Sequence, residues 1–379
     1  MNLKISKEKT IDLVTKSLIV FYIIICLTSE LILFNINFIT QLHIIFVGVI
    51  IIILTQYKVK FKSISYGISK VYLLTIFLSL FIIFNSLFVR NQLLLGVLFN
   101  VVMGLIIGKY LALSKYANKI ILLPFWFLVV YIFLKLFENQ NPNEVFIRSR
   151  NYISFFLIIT VLPYYFTRIN LYKSVSIIPA FITLALCMYS LGRSGIISAL
   201  LLFFGVFLAL KIKKRYKKIL GFIFLAIFIL TFSYYLINFS TIDEIERIID
   251  TSSWSDLGGR STFFNNYYNN SNLFSFIFGM DTNVYKILNI GGSYIPGHVH
   301  SSILNFISVV GVCSIFFFIQ LFGKVKSMYR YNLPLVFIFF AMLFRIFTET
   351  GVLFGYFDYV VWMFFYYSFN SNPNYKQIN

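Results

Sequence analysis

The chain has 379 residues, of which 59% are hydrophobic and 20% aromatic, with a mean hydropathy of +0.86 and a formal net charge of +19. Such a composition excludes a soluble globular domain, and apolar runs of about twenty residues recur from end to end, as a polytopic membrane protein requires. The positive charge does not indicate nucleic acid: the basic residues fall in alternate connections between apolar runs, where membrane insertion and anionic inner lipids place them.

The N-terminal seventeen residues, MNLKISKEKTIDLVTKS, are basic, and no small-residue cleavage site follows the first apolar run, so that run reads as a retained helix. About twelve spans are predicted, centred in 18–36, 38–56, 70–89, 92–112, 119–137, 151–167, 174–191, 195–210, 219–238, 301–322, 333–350 and 352–369. The breaks at 37, at Gly192–Ser194 and at Thr350–Gly351 are very short. With no internal repeat and no Gly/Ser/Pro-rich linker, residues 1–379 read as one all-α transmembrane domain. A long polar loop, 239–300, separates the ninth and tenth spans. Cys26, Cys187 and Cys313 all fall in apolar spans, which implies no disulfide framework.

Alternate connections differ sharply in basic content. With both termini cytoplasmic, the inner connections hold 23 of the 32 basic residues, including the run KIKKRYKK at 211–218. The outer side keeps Arg90, Lys135, Arg148, Arg150, Arg193, Arg247, Arg260, Lys286 and Arg345. The inner set is 20 Lys and 3 Arg, the outer set 7 Arg and 2 Lys. Insertion rules explain inner lysines but not an outer surplus of arginine. The planar guanidinium fork matches phosphate oxygens two at a time and keeps its charge when partly desolvated, so the outer set points to an anionic, phosphate-bearing substrate. Headgroup anchoring and loop ion pairs are the alternative for any single arginine.

Charged residues within the spans fall in the same half. Glu30, Lys135, Arg345, Glu349 and Asp358 are all expected toward the outer ends of their spans, and ionisable groups at such depths face the bundle interior, a cavity or each other. Arg345 and Glu349 are one helical turn apart and suited to pairing. His43 stands alone on an apolar helix beside Thr40 and Gln41 and reads as a buried, hydrogen-bonded histidine.

Two further segments carry recognisable order. Arg193 sits in the turn Leu-Gly-Arg-Ser-Gly at 191–195, and its helix runs into the basic stretch at 211–218. The polar loop opens with IDEIERIID, whose Ile242, Ile245, Ile248 and Ile249 share one helical face, as expected of a short helix lying on a membrane surface. It continues through LGGRSTFFNNYY with Arg260, an aromatic stretch ending in FIFGMD at 276–281, and GHVHSSILNFISVVGVCSIFFF at 297–318.

In order and spacing these segments resemble the O-antigen ligase and polysaccharide-polymerase superfamily. The shared pattern is an Arg-Ser-Gly turn, a Gly-Arg, an aromatic segment, an apolar–Gly pair, and His-x-x-x-Leu leading a helix with Gly about ten residues on. His300, Leu304 and Gly311 occupy the last part. Ser301 departs from the Asn frequent there, and the additional histidine is His298. The resemblance covers roughly 185–369. It implies a GT-C-like helical bundle that uses polyprenyl-diphosphate-linked glycans, of the undecaprenyl diphosphate kind, at the outer face of the bacterial plasma membrane. Donor and acceptor would both be lipid-linked, with a chain-length regulator as a further partner that the resemblance implies.

Such a donor already carries a good leaving group. The protein must neutralise developing negative charge, position an acceptor hydroxyl and supply a base. Arg193 and Arg260, with Arg345, Arg148 and Arg150 behind them, are the expected diphosphate contacts. His300 is the expected base, with His298, Glu349, Asp281 and Asp358 as rivals. No Asp-x-Asp pair or His/Asp spacing suggests a divalent ion, so a metal-independent, inverting transferase without cofactor is expected. Repeat-unit polymerisation for O-antigen (lipopolysaccharide) or capsule is the first reading, and ligation of finished glycan is the second. A lipid-linked glycan flippase is the reading from a different class.

Overall fold

The computed structural model describes residues 2–31, 44–51, 66–89, 95–114, 119–138, 145, 151–171, 173–190, 192–210, 268–269, 271–280, 286–288, 294–296, 301–349 and 351–366. Nearly all of them are helical. In chain order the elements are α1 (Asn2–Leu31), α2 (44–51), α3 (Tyr66–Phe84, extended by a π turn Asn85–Val89) and α4 (Leu95–Leu113). A 3₁₀ turn, Lys119–Leu122, leads into α5 (Leu123–Phe137), followed by α6 (Asn151–Asn170), α7 (Ile178–Tyr189) and α8 (Arg193–Ala209). Beyond these lie α9 (Leu273–Phe278), a ribbon of β1 (Lys286–Leu288) and β2 (Tyr294–Pro296), then α10 (Ser302–Val310), α11 (Cys313–Tyr331), α12 (Leu333–Thr348) and α13 (Tyr359–Tyr366). The ribbon is antiparallel with Ile287 opposite Ile295.

Among the described residues five helices are long and apolar enough to cross a bilayer: Thr10–Ser29, Val71–Val89, Leu95–Leu113, Lys119–Phe137 and Asn151–Asn170. Ile178–Tyr189, Ser194–Ala209 and Leu333–Thr348 are apolar but shorter. The expected spans at 70–89, 92–112, 119–137, 151–167, 174–191, 195–210 and 333–350 each meet a helix. The span at 219–238 and the helix at 242–249 lie outside the described residues.

Three expectations are corrected. The first helix begins well before residue 18, at Asn2. The tenth span is two helices, because Gly311 adopts φ +52° and divides α10 from α11. The twelfth span is helical only from Tyr359, since 351–358 follow an irregular path that includes Leu353 and Phe354 at φ 58° and 84°.

α6 is the axis of the bundle, with 94% of its span buried. Pro163 removes one backbone N–H from it, and the Thr160 and Thr167 hydroxyls donate to carbonyls one turn back, at 2.7 Å to Phe156 and 2.8 Å to Pro163. Close packing around α6 relies on small residues, as in membrane bundles where no hydrophobic difference drives helices together. A methyl group at Gly195 of α8 would lie 2.4 Å from Ser154 Cβ on α6, and one at Gly205 would meet the Pro334 carbonyl of α12 at 2.9 Å. Gly104 and Gly108 do the same for α4, facing Asp358 and Trp362.

Direction along the bundle follows from its contacts. At one end α6 begins at Asn151 beside Ser194 of α8 and Arg345 of α12. At the other its last turn meets α4 and the start of α12, through Asn170 Nδ2 to the Ala112 carbonyl and Asn332 Nδ2 to the Ile169 carbonyl, both 3.3 Å. The pair Asp12–Lys16 lies at this second end.

Gly108→Leu should therefore separate α4 from α13, since its Cβ would sit 2.6 Å from Trp362 Cβ and 2.9 Å from the Met363 nitrogen. A loss of about 2 kcal/mol is expected. Gly96→Ala, with open space around the position, should leave stability equal or raise it by roughly 0.5–1 kcal/mol. Thermal unfolding of the two purified variants in the same detergent separates these outcomes.

Candidate active site at the Arg345 end of the bundle

Arg345 is fully buried, and its fork ties three helices together. Nη1 donates to Ser194 Oγ at 2.7 Å and to Thr348 Oγ1 at 3.3 Å, while Nη2 donates to the Asn151 carbonyl at 2.9 Å. Glu349 Oε1 stands 3.7 Å from Nη2. The pairing expected one helical turn apart is thus present, and it is part of a larger junction of α6, α8 and α12. A buried guanidinium is tolerated there because oxygens surround it and a carboxylate balances it.

Ser194 is in the first turn of α8, directly after Arg193. Gly192 is the N-cap residue, no side chain caps the helix, and its first intrahelical bond is Ile196 N–H to the Gly192 carbonyl at 2.9 Å. The first-turn N–H groups and the helix dipole make this end favourable to anions. Gly192 is needed for contact: a Cβ would lie 2.8 Å from Asn151 Oδ1.

Irregular backbone lies at both ends of α10, the first of them at this junction. In the first, Ser302 at the start of α10 donates from both its N–H (2.9 Å) and its hydroxyl (2.6 Å) to the Glu349 carbonyl, and Val352 N–H returns to Ser302 Oγ at 3.4 Å. Ser301 caps α10 by accepting Leu304 N–H at 3.3 Å. In the second, the loop segment at 277–280 enters the break between α10 and α11. Met280 N–H reaches the Ser308 carbonyl at 2.7 Å, Val312 N–H the Ile277 carbonyl at 3.3 Å, and Asn85 Nδ2 of the π turn the Phe278 carbonyl at 3.0 Å. Gly279 and Gly311, at φ +91° and +52°, permit this approach, since a Cβ on Gly311 would stand 2.2 Å from the Ile277 carbonyl oxygen. Phe278 also stacks on Phe84 at 4.5 Å. The Phe-Gly-Met and Gly311 signals read from the sequence meet at one joint.

An open, wholly apolar groove of about 260 Å³ runs between α8 and α12, lined by Leu201, Phe337, Phe340, Leu343, Phe344 and Phe347. It reaches Phe347, next to Thr348 of the Arg345 junction.

The candidate residues are thus placed unevenly. Arg345 and Glu349 are brought together with Ser194, Asn151, Thr348 and Ser302, none of which sequence reasoning singled out as a site residue. Arg193 begins α8, and its side chain lies outside the described residues, as does that of Glu30 on α1. Arg148, Arg150, Arg260, Asp281, His298, His300 and His43 also lie outside them. Lys135 pairs with Glu138 at 2.9 Å on a solvent- or lipid-facing helix end, away from the junction. Asp358 is buried, and its two oxygens accept the Phe354 and Gly355 N–H groups at 2.8 and 2.9 Å, so both already serve the backbone. Among the described residues no three His, Cys, Asp or Glu side chains gather where a metal ion would bind.

One buried ion pair, Asp12 with Lys16, was missed altogether. Lys16 donates to Asp12 Oδ2 and Ser114 Oγ, both at 2.7 Å, and Tyr110 donates to Asp12 Oδ1 at 2.7 Å. Lys16 reads in the sequence as one of the inner basic set, yet the i, i+4 spacing from Asp12 marks the pair. Compared with known proteins, the chain matches no family model, no curated protein and no solved structure.

Arg345→Lys should lower stability by roughly 2–3 kcal/mol, because one ammonium cannot reach Ser194, Thr348 and Asn151 together. Arg345→Met should cost about 3–5 kcal/mol by leaving Glu349 buried without its counter-ion, and Arg345→Met/Glu349→Leu should recover most of that. A double-mutant cycle on thermal unfolding measures the coupling.

Proposed function

We propose that this chain is a membrane glycosyltransferase that polymerises polyprenyl-diphosphate-linked repeat units into O-antigen or capsular polysaccharide. In this reading it is a GT-C-like bundle of about twelve spans in the bacterial plasma membrane, with cytoplasmic termini and its site at the outer face. The observation that carries the reading is the burial of Arg345 against the N-terminal turn of α8, where Arg193 begins the helix. That juxtaposition gathers guanidinium, first-turn N–H groups and a glycine turn at one bundle end, the equipment for a diphosphate. The apolar groove beside it suits the isoprenoid tail of such a donor.

The chemistry follows from those parts. An acceptor hydroxyl oxygen attacks the anomeric carbon while the bond from that carbon to the diphosphate oxygen breaks. The pair of electrons leaves on the diphosphate, where Arg193 and Arg260 neutralise the growing charge, supported by Arg148 and Arg150. The acceptor proton passes to His300, or to His298 in its place, and attack opposite the leaving group inverts the anomeric configuration. Arg345 sits beneath this surface and holds the α8 turn in place. Glu349, as its counter-ion, is better suited to charge balance than to proton removal. Ligation of finished glycan would use the same parts on a different acceptor.

Purified protein given polyprenyl-diphosphate oligosaccharide in detergent, where no sides exist, should lengthen chains with inversion. Arg193→Ala, Arg260→Ala and His300→Ala should each reduce turnover by about 10²-fold or more at normal expression. A deletion strain should carry single repeat units on their acceptor. Polymer stranded on the lipid carrier would assign ligation instead. Full activity in all three alanine variants would remove the proposal.

A further inference from the structure

The geometry points to Asp358 as a positioning residue, a buried carboxylate that holds the irregular segment 351–357 in the one shape that fixes the Glu349–Ser302 contact. The segment is unusual on several counts. Leu353 and Phe354 occupy the left-handed region in succession, at φ 58° and 84°, which L side chains adopt reluctantly. Gly351 stands at φ 118°, and a Cβ on Gly355 would come within 2.1 Å of the Gly351 carbonyl oxygen. Val352, Leu353 and Phe354 are all buried, so the path lies within the protein and its N–H groups must find partners there.

Asp358 supplies them by reaching backward. Although it precedes α13, its side chain takes the N–H groups of Phe354 and Gly355, at 2.8 and 2.9 Å, while its carbonyl accepts Val361 N–H at 3.0 Å. Successive N–H groups converging on one anion form a nest, filled in this case from within the chain. The surroundings are shaped to keep it filled. Asn100 Nδ2 of α4 holds the Phe354 carbonyl at 3.0 Å, the Phe354 ring packs on Phe306 of α10 at 5.0 Å, and Gly104 leaves room for Asp358 Cβ. From this clamp the chain leads to Val352, whose N–H binds Ser302 Oγ, and Ser302 in turn binds the Glu349 carbonyl twice. Asp358 thereby sets the start of α10 against the end of α12, one helical turn beyond Arg345. Backbone strain held by a single buried carboxyl group, next to a candidate site, is the pattern of a preorganised scaffold.

Hydrogen exchange tests the clamp without reference to turnover. Peptides covering 301–306 and 350–358 should be protected in the wild type and exchange at least tenfold faster in Asp358→Ala, with Asp358→Asn between them. A peptide from α6 should be unchanged. Because glycine tolerates positive φ and Leu353→Gly leaves the Phe354–Phe306 contact in place, the double variant Leu353→Gly/Asp358→Ala should regain part of the lost protection at 301–306. Asp358→Asn, which keeps one acceptor oxygen, serves as the second variant should Asp358→Ala not fold. Protection equal to wild type in both Asp358→Ala and Asp358→Asn overturns the inference. The turnover arm rests on the proposed glycosyltransferase: kcat should fall about 100-fold in Asp358→Ala with KM within threefold, and an unchanged kcat overturns the positioning role. If the wild type itself transfers no glycan, the functional reading falls while the exchange result still decides the clamp.

Discussion

A guanidinium without solvent exposure imposes a condition on everything around it, because its charge and donor groups must be met by protein atoms. Arg345 is met by a serine hydroxyl from α8, a carbonyl from the first residue of α6 and two groups from its own helix. Each acceptor is on a helix terminus. α6 must start at Asn151, α8 must turn at Gly192, and α12 must end at Thr348 for the fork to close. Close approach of α8 to α6 through Gly195, and to α12 through Gly205, brings those termini to one level. The small residues and the arginine therefore act together, one allowing proximity and the other requiring it.

Irregular backbone lies at both ends of α10, where the N–H groups of Val312, Val352, Phe354 and Gly355 find protein partners. The breaks at Gly311 and at 351–358 remove helical bonds within a bundle whose setting offers no water to replace them. Segments distant in sequence supply partners in both places, Ile277 and Met280 at the first, Asn100 and Ser302 at the second, where the neighbouring carboxylate of Asp358 adds two more bonds. A bundle built only for stability would run its helices through. Interrupted helices held rigid by specific polar contacts instead create surfaces that side chains on a straight helix cannot.

Much of the membrane architecture was legible because hydrophobic length alone specifies a spanning helix, and 119–137 and 151–167 are near-complete readings of α5 and α6. Breaks were harder. The sequence marks Gly311 and a short break at Thr350–Gly351, but it does not reveal that the Ile277 backbone approaches Gly311 or that the irregular path extends from 351 to 358. The same limit hid the Ser194, Asn151 and Ser302 contributions, since a hydroxyl or carbonyl becomes a ligand for Arg345 through tertiary placement and not through local pattern. Arg345 and Glu349 could be paired from spacing, because helical geometry relates i to i+4. Asp12 and Lys16 share that spacing, and a count that assigned Lys16 to an inner basic cluster concealed it.

That second pair bears on the choice between transferase and transporter. Asp12 and Lys16, buried in α1, place charge at the Asn170 end of the bundle as well. Their arrangement matters more than their presence. Lys16 is bonded to Asp12 and Ser114, Tyr110 closes the other carboxylate oxygen, and Asn170 and Asn332 fasten the neighbouring termini. Alternating access needs both ends to open in turn. Each end is fastened by buried polar bonds between helices, α1 to α4 through Lys16–Ser114 and Tyr110–Asp12 at one and α12 to α6 and α8 through Arg345 at the other, and opening either would leave a buried charge short of partners.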